Sequence, residues 1–508
     1  MGKKTICYRG SLKSCNYRCS YCPFSKHRAS ARELEKDRED FGRFCRSVAT
    51  RGREFCVGTV FVVPYGEASI HTWYWEGLGR LAALPGIDRV GLQTNLSFSV
   101  EECLKIYDSC SQECSHADGL GGSGRGQGAY RQKLCVWATF HPEMTDVDTF
   151  AEKAAGLAGQ GVNVCAGAVG VPQNIPLLNR LREKLPPDIY LWINKMDGLG
   201  RGYTGEERKA LCEIDPFFTW ELGTPAADAS MCADRCFVEA GGKVRCCNIG
   251  RTKGADWYQG DMEEIFRPSC GKSRCSCFLA YGGRRDFEGR KFFGDYPLFR
   301  IPEKRKAFFL DLDGTLVPEG GRGGLSEGIR RKIRALGETY PVFLATSMPE
   351  EEVRKRIRGD MDLFWGGIFA SGAHVCLWAR GGGREAVHPV ELFLPRLMEL
   401  ANRAKAKVRI YQKNGVPYKA TVFKRHNGIW KEQEIQYTEG LSESPRCRIF
   451  VEKNCLEIIG KGLDKGTGIR EICGWLGIEP REAMAVGNDR EDEAMSGVCG
   501  AFLARPQV

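Results

Sequence analysis

The chain has 508 residues, with 74 Lys and Arg against 64 Asp and Glu, a formal net charge of +10 and 42% hydrophobic residues. This is globular composition, and it excludes a disordered chain; the mild positive excess gives no sign of nucleic-acid binding. No apolar run approaches the ~18 residues of a membrane helix. The start, Met1 to Gly10, has neither an apolar segment nor a small-residue cleavage site, so a cytoplasmic location is expected. At roughly 150 residues per domain, two to four domains are expected.

Short apolar runs alternate with polar helical stretches over the first 200 residues. They predict strands at Thr5–Tyr8, Thr59–Val63, Arg89–Gln93, Leu134–Phe140, Asn163–Val169 and Ile189–Ile193. Helices such as Ser30–Ser47 and Thr149–Ala158 fall between them. This is the pattern of a parallel α/β sheet. Six units are too few for a closed eight-fold barrel, so a partial (βα)6 barrel is expected. The stretch 115–128 holds six glycines and reads as a surface insertion.

Cysteine is the informative residue. There are 24, of which 19 lie in residues 1–300 and 5 in 301–508. In a reducing compartment such density points to metal or iron–sulfur ligation together with buried thiols. Cys15, Cys19 and Cys22 form a C-x3-C-x2-C run just after the first strand. Three such thiolates can hold three irons of a [4Fe–4S] cube and leave the fourth open to a small chelating molecule. A zinc site with its fourth ligand elsewhere is the alternative.

This run, with Tyr21 before its last cysteine and on the loop after strand one, resembles the radical S-adenosylmethionine superfamily. Pro64-Tyr65-Gly66-Glu67 after strand two resembles that family's Gly-Gly-Glu motif, with Tyr65 in place of the first glycine. Gln93-Thr94-Asn95 resembles its Thr-Asn-Gly turn, with Leu96 in place of the glycine. Gly167-Ala168-Val169-Gly170 resembles its glycine-rich adenine contact. The resemblance implies a [4Fe–4S] cluster at Cys15, Cys19 and Cys22. It also implies S-adenosylmethionine bound near Tyr21, Gly66, Glu67, Thr94, Asn95 and Gly167. An electron donor such as flavodoxin or ferredoxin and a small-molecule substrate, with a peptide as the alternative, are implied as well. His141 ends strand four, where barrel-type sites gather side chains.

Residues 228–282 are short-segmented and rich in cysteine: Cys232, Cys236, Cys246, Cys247, Cys270, Cys275 and Cys277. Four thiolates among them suit a second [4Fe–4S] cluster or zinc. The run Gly241 to Cys246 and the following cysteines resemble the SPASM and twitch auxiliary-cluster extensions, which implies one further cluster. Cys45, Cys103, Cys165 and Cys212 read as buried thiols. Residues 283–303 read as a charged connector.

From Lys306 the alternation restarts, with strands expected at Ala307–Leu310, Val342–Ala345, Leu363–Phe369, Leu456–Ile459 and Ala483–Val486. The first ends in Asp311-Leu312-Asp313. Two carboxylates at a strand end suit phosphoryl transfer, with one Asp as nucleophile, one as general acid/base, and Mg²⁺ to offset charge. Four motifs in order resemble the haloacid dehalogenase phosphatases. The resemblance implies Asp311 as nucleophile, Asp313 as acid/base, and Thr346 and Lys465 as phosphate-holding groups. Asp311, Asp313, Asn488, Asp489 and Asp492 are implied about the Mg²⁺. Asn488 stands where the family has Asp. A C2-type α/β cap is expected over about residues 376–453, and its basic runs Arg409–Lys413 and Lys424–His426 are candidates for binding an anion. The whole reads as a radical enzyme of residues 1–227 with a cysteine-rich extension, joined to a Rossmann-like phosphatase of residues 304–508. A peptide maturase and a degenerate binding module are the rival readings.

Overall fold

Each apolar run of the first 200 residues becomes a strand of one sheet. The strands are β1 (Lys4–Gly10), β2 (Val57–Val62), β3 (Arg89–Thr94), β4 (Leu134–Phe140), β5 (Asn163–Val169) and β6 (Leu191–Asn194), all parallel and paired in chain order. The computed structural model describes the chain except residues 1–2, 25–26, 118–127, 226–233, 249–251, 267–273, 276, 319–322, 379–381, 393, 425–428, 433, 435–446, 453–454 and 505–508. Most of the glycine-rich insertion therefore lies outside the described residues, as do Cys232, Cys270 and the Arg425-His426 pair. The chain divides into two compact units, Met1–Glu303 and Lys304–Val508. Among the described residues, no helix is long and apolar enough to cross a membrane.

Helices α1 (Ala31–Arg51), α2 (Thr72–Ala83), α3 (Val100–Ala117), α4 (Val147–Gly159) and α5 (Ile175–Lys184) connect successive strands, and α6 (Gly205–Ile214) follows β6. Ser30 with Glu33 and Thr204 with Glu207 close capping boxes at the starts of α1 and α6, satisfying otherwise orphaned N–H groups. Right-handed crossovers that always step the same way put the helices on one face. Phe41, Phe44, Trp75, Leu78, Leu104 and Phe150 accordingly share a core with Ile6, Tyr8, Val60, Val62, Val136 and Phe140.

The alternate strand residues, Cys7, Phe61, Cys135, Trp137, Cys165 and Trp192, face the other way into a second core. That core is closed by two segments whose role the sequence does not announce. The cysteine-rich stretch supplies β7 (Thr224–Pro225), β8 (Arg235–Glu239), β9 (Lys243–Arg245), β10 (Thr252–Asp256) and β11 (Arg274–Cys275). It is not a separate appendage, because β8 pairs parallel with β1 and extends the sheet to β10-β9-β8-β1. The sheet edges are β10 and β6. Residues 283–303 are not a connector either. Phe287, Phe293, Leu298 and Phe299 are buried among the second-face side chains, with Phe299 edge-on to Phe61 at 4.8 Å. Their charge is paired internally. Arg300, 1% exposed, reaches Asp215 and Glu221, each at 3.4 Å, and lies over the Phe278 ring at 3.4 Å.

In the second unit β12 (Ala307–Leu310) is central. It pairs parallel with β13 (Val342–Ala345) on one side and with a later strand on the other. β14 (Gly366–Phe369) pairs parallel with β13, and β15 (His374–Leu377) and β16 (Glu385–Val387) follow antiparallel. The expected cap start at 376 is thus too early, since β15 and β16 belong to the core sheet. A separate antiparallel sheet holds β17 (Ala406–Lys413), β18 (Val416–Lys424), β19 (Cys447–Glu452) and β20 (Cys455–Gly460), in the order β17-β18-β20-β19. β20, which reads from the sequence as a core strand, belongs to this separate sheet. β21 (Ala483–Gly487) and β22 (Ala501–Ala504) complete the core sheet beside β12. Helices used below are α7 (Glu327–Gly337), α8 (Glu350–Arg356), α9 (Leu394–Arg403) and α10 (Lys465–Leu476). α9 covers the separate antiparallel sheet, with Leu397 and Leu400 against Ala420, Val422 and Ile458.

Candidate active sites

The chain leaves β12 for β13 and β14 on one side, and returns through β21 and β22 on the other. Asp311 follows β12 at this reversal, where open α/β sheets form a crevice. Its side chain is almost fully buried. Lys465 opens α10 and is 1% exposed. Its Nζ donates to Asp311 Oδ1 at 2.8 Å and to Asp492 Oδ1 at 2.6 Å. Burial pushes the Asp311 carboxyl up to about 6, with Lys465 pulling it back and Asp492 adding to the rise. Burial works against the Lys465 charge, but the two carboxylates outweigh it and hold its pKa above the usual lysine range.

The Asn488 amide faces the same carboxylate. With its nitrogen turned inward it donates to Asp311 Oδ2 at 3.1 Å, to the main-chain oxygen of Asp313 at 2.9 Å and to Thr315 Oγ1 at 2.9 Å. Gly314 has φ +79°, and a Cβ there would collide with this amide, so only glycine fits the turn. Asp492 Oδ2 accepts from the N–H groups of Asn488 at 2.8 Å and Asp489 at 3.2 Å. Asp489 itself accepts from the N–H of Glu491 at 2.8 Å. Of the expected metal ligands, Asp489 and Asp492 are therefore engaged with backbone and with Lys465. The group that meets the Asp311 carboxylate is Asn488. Asp313 is partly exposed and accepts from Arg356 Nη2 at 3.1 Å. Thr346 follows β13 beside β12, 2% exposed, and its Oγ1 accepts from the Met348 N–H at 3.1 Å.

Residues 398–501 match the family model of haloacid dehalogenase-like hydrolases. The C-terminal unit carries a haloacid dehalogenase-like hydrolase domain. Lys465, Asn488 and Asp492 lie inside the matched residues, and Asp311, Asp313 and Thr346 before them. Similar solved structures include a haloacid dehalogenase-like hydrolase from Bacteroides thetaiotaomicron, at 18% identity over 39% of this chain and 88% of that one, TM-score 0.33. A protein from Thermotoga maritima matches at 19% identity over 40% and 86%, TM-score 0.33. A subclass IIB sugar phosphatase matches at 19% over 39% and 86%, TM-score 0.32.

The separate antiparallel sheet does not keep the Arg409–Lys413 run free for an anion. Arg409 pairs with Glu351 at 3.0 Å and Glu352 at 2.6 Å, and Lys413 pairs with Glu350 and Glu385, each at 3.0 Å. Among the described residues, Glu350, His374 and Glu385 are the one group of three whose ligand atoms lie within 4.8 Å of each other. The Lys413 ammonium already bridges its two carboxylates. Lys419, missed by sequence reasoning, is a buried lysine of β18 whose Nζ pairs with Glu457 at 2.6 Å and donates to the Ser347 carbonyl at 2.8 Å, next to Thr346. Only its strand position, facing the core sheet, distinguishes it from the surrounding basic residues.

In the N-terminal unit, a cavity of about 360 Å³ opens at the C-terminal ends of the parallel strands. Cys15, Cys19, Cys22, Tyr21, Gly66, Glu67, Thr94, Asn95, His141 and Cys277 all line it. Gly66 N–H donates to the Leu12 carbonyl at 3.0 Å and Glu67 N–H to that of Ser14 at 2.9 Å. A Cβ at Gly66 would run into the Ser14 main chain, so this glycine lets the two loops meet. Glu67 is buried and accepts from Ser69 Oγ at 2.5 Å and the Asn95 N–H at 2.6 Å. Burial raises its pKa, and those bonds oppose the rise. Thr94 Oγ1 accepts from the N–H of Leu96 at 2.9 Å, holding that residue at φ +61° where glycine would sit freely. Asn95 Nδ2 donates to Asn16 Oδ1 at 2.9 Å and lies 3.7 Å from Cys15 Sγ.

Burial pushes Cys19 up to about 11, with Cys22 adding to the rise, and raises Cys15 as well. Tyr21 Oη and His141 Nδ1 are 2.9 Å apart, and burial lowers the His141 pKa to about 4. Gly167 is not at the cavity wall. The Trp192 indole covers it, leaving no room for a Cβ, and Ala168 and Val169 line the cavity in its place.

The second cysteine group is split by strand geometry. Cys236 sits inside β8 and, like its neighbour Ile6, points into the helix-side core, with burial holding its thiol well above the usual range. Cys246, Cys247, Cys275 and Cys277 belong to the opposite core. Successive strand residues face opposite sides, so Cys236 is not placed with them. Asn248 Nδ2 donates to Cys277 Sγ at 3.4 Å. Arg9 and Lys195, which also line the cavity, are functional candidates that sequence reasoning passed over. The available signal was an arginine directly after the apolar run Ile6-Cys7-Tyr8 of the first strand.

Proposed function

We propose that the chain is a bifunctional enzyme, with a radical S-adenosylmethionine site in its N-terminal unit and a Mg²⁺-dependent phosphatase for a small phosphorylated metabolite in its C-terminal unit. The observation that carries the second half is the Lys465 bridge between Asp311 and Asp492 at the sheet's reversal. Asp311 attacks phosphorus in line, the ester bond breaks, and the phosphoryl group is left on the Asp311 carboxylate. Asp313 delivers a proton to the departing alkoxide and then takes one from the water that hydrolyses the acyl phosphate. Lys465 and Thr346 hold the phosphoryl oxygens, and Lys465 offsets charge that grows in the transition state. The oxygens about Asn488 suit a hard cation, and Mg²⁺ held by Asp311 and the Asp313 carbonyl, with the Asn488 amide turned over to present its oxygen, would supply further charge neutralisation. Asp311→Asn, nearly isosteric, is expected to abolish hydrolysis of an aryl phosphate with the fold retained. Wild-type turnover in that variant excludes the mechanism. No activity in the wild type or in Asn488→Asp at any Mg²⁺ level leaves a binding module.

For the first half, the supporting observation is that all three thiols of the C-x3-C-x2-C run line one cavity with Gly66, Glu67, Thr94 and Asn95. Thiol donors suit a [4Fe–4S] cluster, and Cys15, Cys19 and Cys22 would hold it. Such a cluster, when bound, supplies the electron that splits S-adenosylmethionine into methionine and a 5′-deoxyadenosyl radical. Asn95 and the Gly66–Glu67 backbone fix the cysteine loop against the strand ends. Tyr21 and His141 form one cavity wall. Anaerobically reconstituted chain with dithionite and S-adenosylmethionine is expected to yield 5′-deoxyadenosine, and the triple Cys→Ala variant none. Equal product from both rules the reading out.

A further inference from the structure

The N-terminal cavity contains a buried cation to which no described residue brings a counter-charge. Arg9 follows Tyr8 on β1 and turns to the second face of the sheet; it is 8% exposed. Its Nη1 donates to the Val63 carbonyl at 2.5 Å and its Nη2 to the Asn248 amide oxygen. The guanidinium lies over the Tyr65 ring at 4.5 Å and near that of Phe237 at 5.6 Å. Every one of these partners is neutral, and among the described residues no carboxylate pairs with Arg9. Two other buried arginines of the unit differ. Arg300 has Asp215 and Glu221, and Arg284 has Asp286.

A desolvated guanidinium is costly unless a charge answers it, and it carries five N–H donors, more than the two acceptors found here. Lys195, the first residue after β6, brings a second cation to the same cavity. Its nearest carboxylate, Asp197, is 3.9 Å away and 86% exposed, so it answers little of that charge. Trp137 and Trp192 also line the cavity, and among the described residues their indole N–H groups have no acceptor. The wall thus sets these unmatched donors and two cations, Arg9 and Lys195, beside two carboxylates: Glu67, whose oxygens are bonded to Ser69 and Asn95, and the exposed Asp197.

We infer that Arg9 and Lys195 form an oxyanion subsite, so that the substrate of this cavity carries a carboxylate or phosphate group. The inference rests on the reading of the cavity as the radical site and names the substrate class it takes. Arg9 would grip two oxygens through its free fork edge, and Lys195 would add a point charge from the facing strand end.

The test is equilibrium dialysis of the full reconstituted chain, saturated with unlabelled S-adenosylmethionine so that its own methionyl carboxylate is already bound, against labelled inorganic phosphate and, separately, labelled acetate. Arg9→Gln is expected to bind one anion fewer per chain than wild type, whatever the hydrolase domain itself binds. Lys195→Gln is expected to weaken that same site about tenfold or more. Loss with acetate assigns a carboxylate, and loss with phosphate alone assigns a phosphate ester. Unchanged stoichiometry and affinity in Arg9→Gln overturns the subsite. Should Arg9→Gln lose its cooperative melt, unchanged affinity in Lys195→Gln does so instead. Anion binding seen before reconstitution but lost after it also overturns the proposal, since a cluster at Cys277 would then be the counter-charge. Cleavage of S-adenosylmethionine by wild type is scored separately. Failure of the radical reading therefore appears as missing 5′-deoxyadenosine, whatever the dialysis returns.

Discussion

Lys465→Met removes the one cation shared by Asp311 and Asp492 while keeping most of the side-chain volume. Breaking a buried pair by deleting one partner costs about 3–5 kcal/mol when the remaining charge stays. Here it need not stay, because Asp311 is already pushed up to about 6 with Lys465 present. Without the lysine its pKa rises further, and the carboxyl binds a proton. A carboxyl with a raised folded pKa contributes stability that is complete below its unfolded value near ~3.9 and is lost as pH rises through the folded value. In wild type that loss is largely over soon after pH 6, so going from about pH 5.5 to 8 costs about 1 kcal/mol from this group. In Lys465→Met the proton is held through most of that range. At about 1.4 kcal/mol per pH unit the loss becomes about 3 kcal/mol. Urea unfolding at the two pH values reads the difference in the transition of the C-terminal unit. The variant should also lose roughly 10²–10³ in aryl phosphate turnover. If it loses no more stability than wild type between those pH values, the shared bridge is not what holds these carboxylates.

Asn488→Asp should tighten Mg²⁺ about tenfold or more and raise phosphatase activity at low Mg²⁺, because an inward amide donor becomes a charged oxygen ligand; calorimetric titration with Mg²⁺ checks this. Cys236→Ala should leave the iron or zinc content of the chain unchanged, since its thiol faces the helix-side core, while Cys277→Ala should lower it; metal analysis of the two variants decides. Arg300→Met should destabilise the N-terminal unit by about 3–5 kcal/mol. That cost should be greater at pH 8 than at pH 6, because Glu221, which burial pushes up to about 7, ionises over this range without its counter-ion. Thermal melts at the two pH values test the sign.

Local pattern alone determined much of this protein. The strands Leu134–Phe140, Asn163–Val169, Ala307–Leu310 and Val342–Ala345 are observed with the limits their apolar runs predict, because a strand buried on both faces must be apolar throughout. The spacing of Cys15, Cys19 and Cys22, and the Asp311-Leu312-Asp313 strand end, were equally legible, being contained in a few consecutive residues. Pairing across long separations was not. β8 joins β1 more than 220 residues after it, and that pairing alone decides that Cys236 points away from Cys246, Cys247, Cys275 and Cys277. Residues 283–303 read as a connector because their charges are visible in sequence, whereas their partners, Asp215 and Glu221 for Arg300, lie far back in the chain. β20 read as a core strand because an apolar run does not state which sheet it enters. Tertiary structure likewise decided that Lys465 spans Asp311 and Asp492, and that Arg9 ends inside a cavity where its partners among the described residues are all neutral. A side chain's chemistry is local, but its counter-charge, its face and its burial are set by whatever the fold brings beside it.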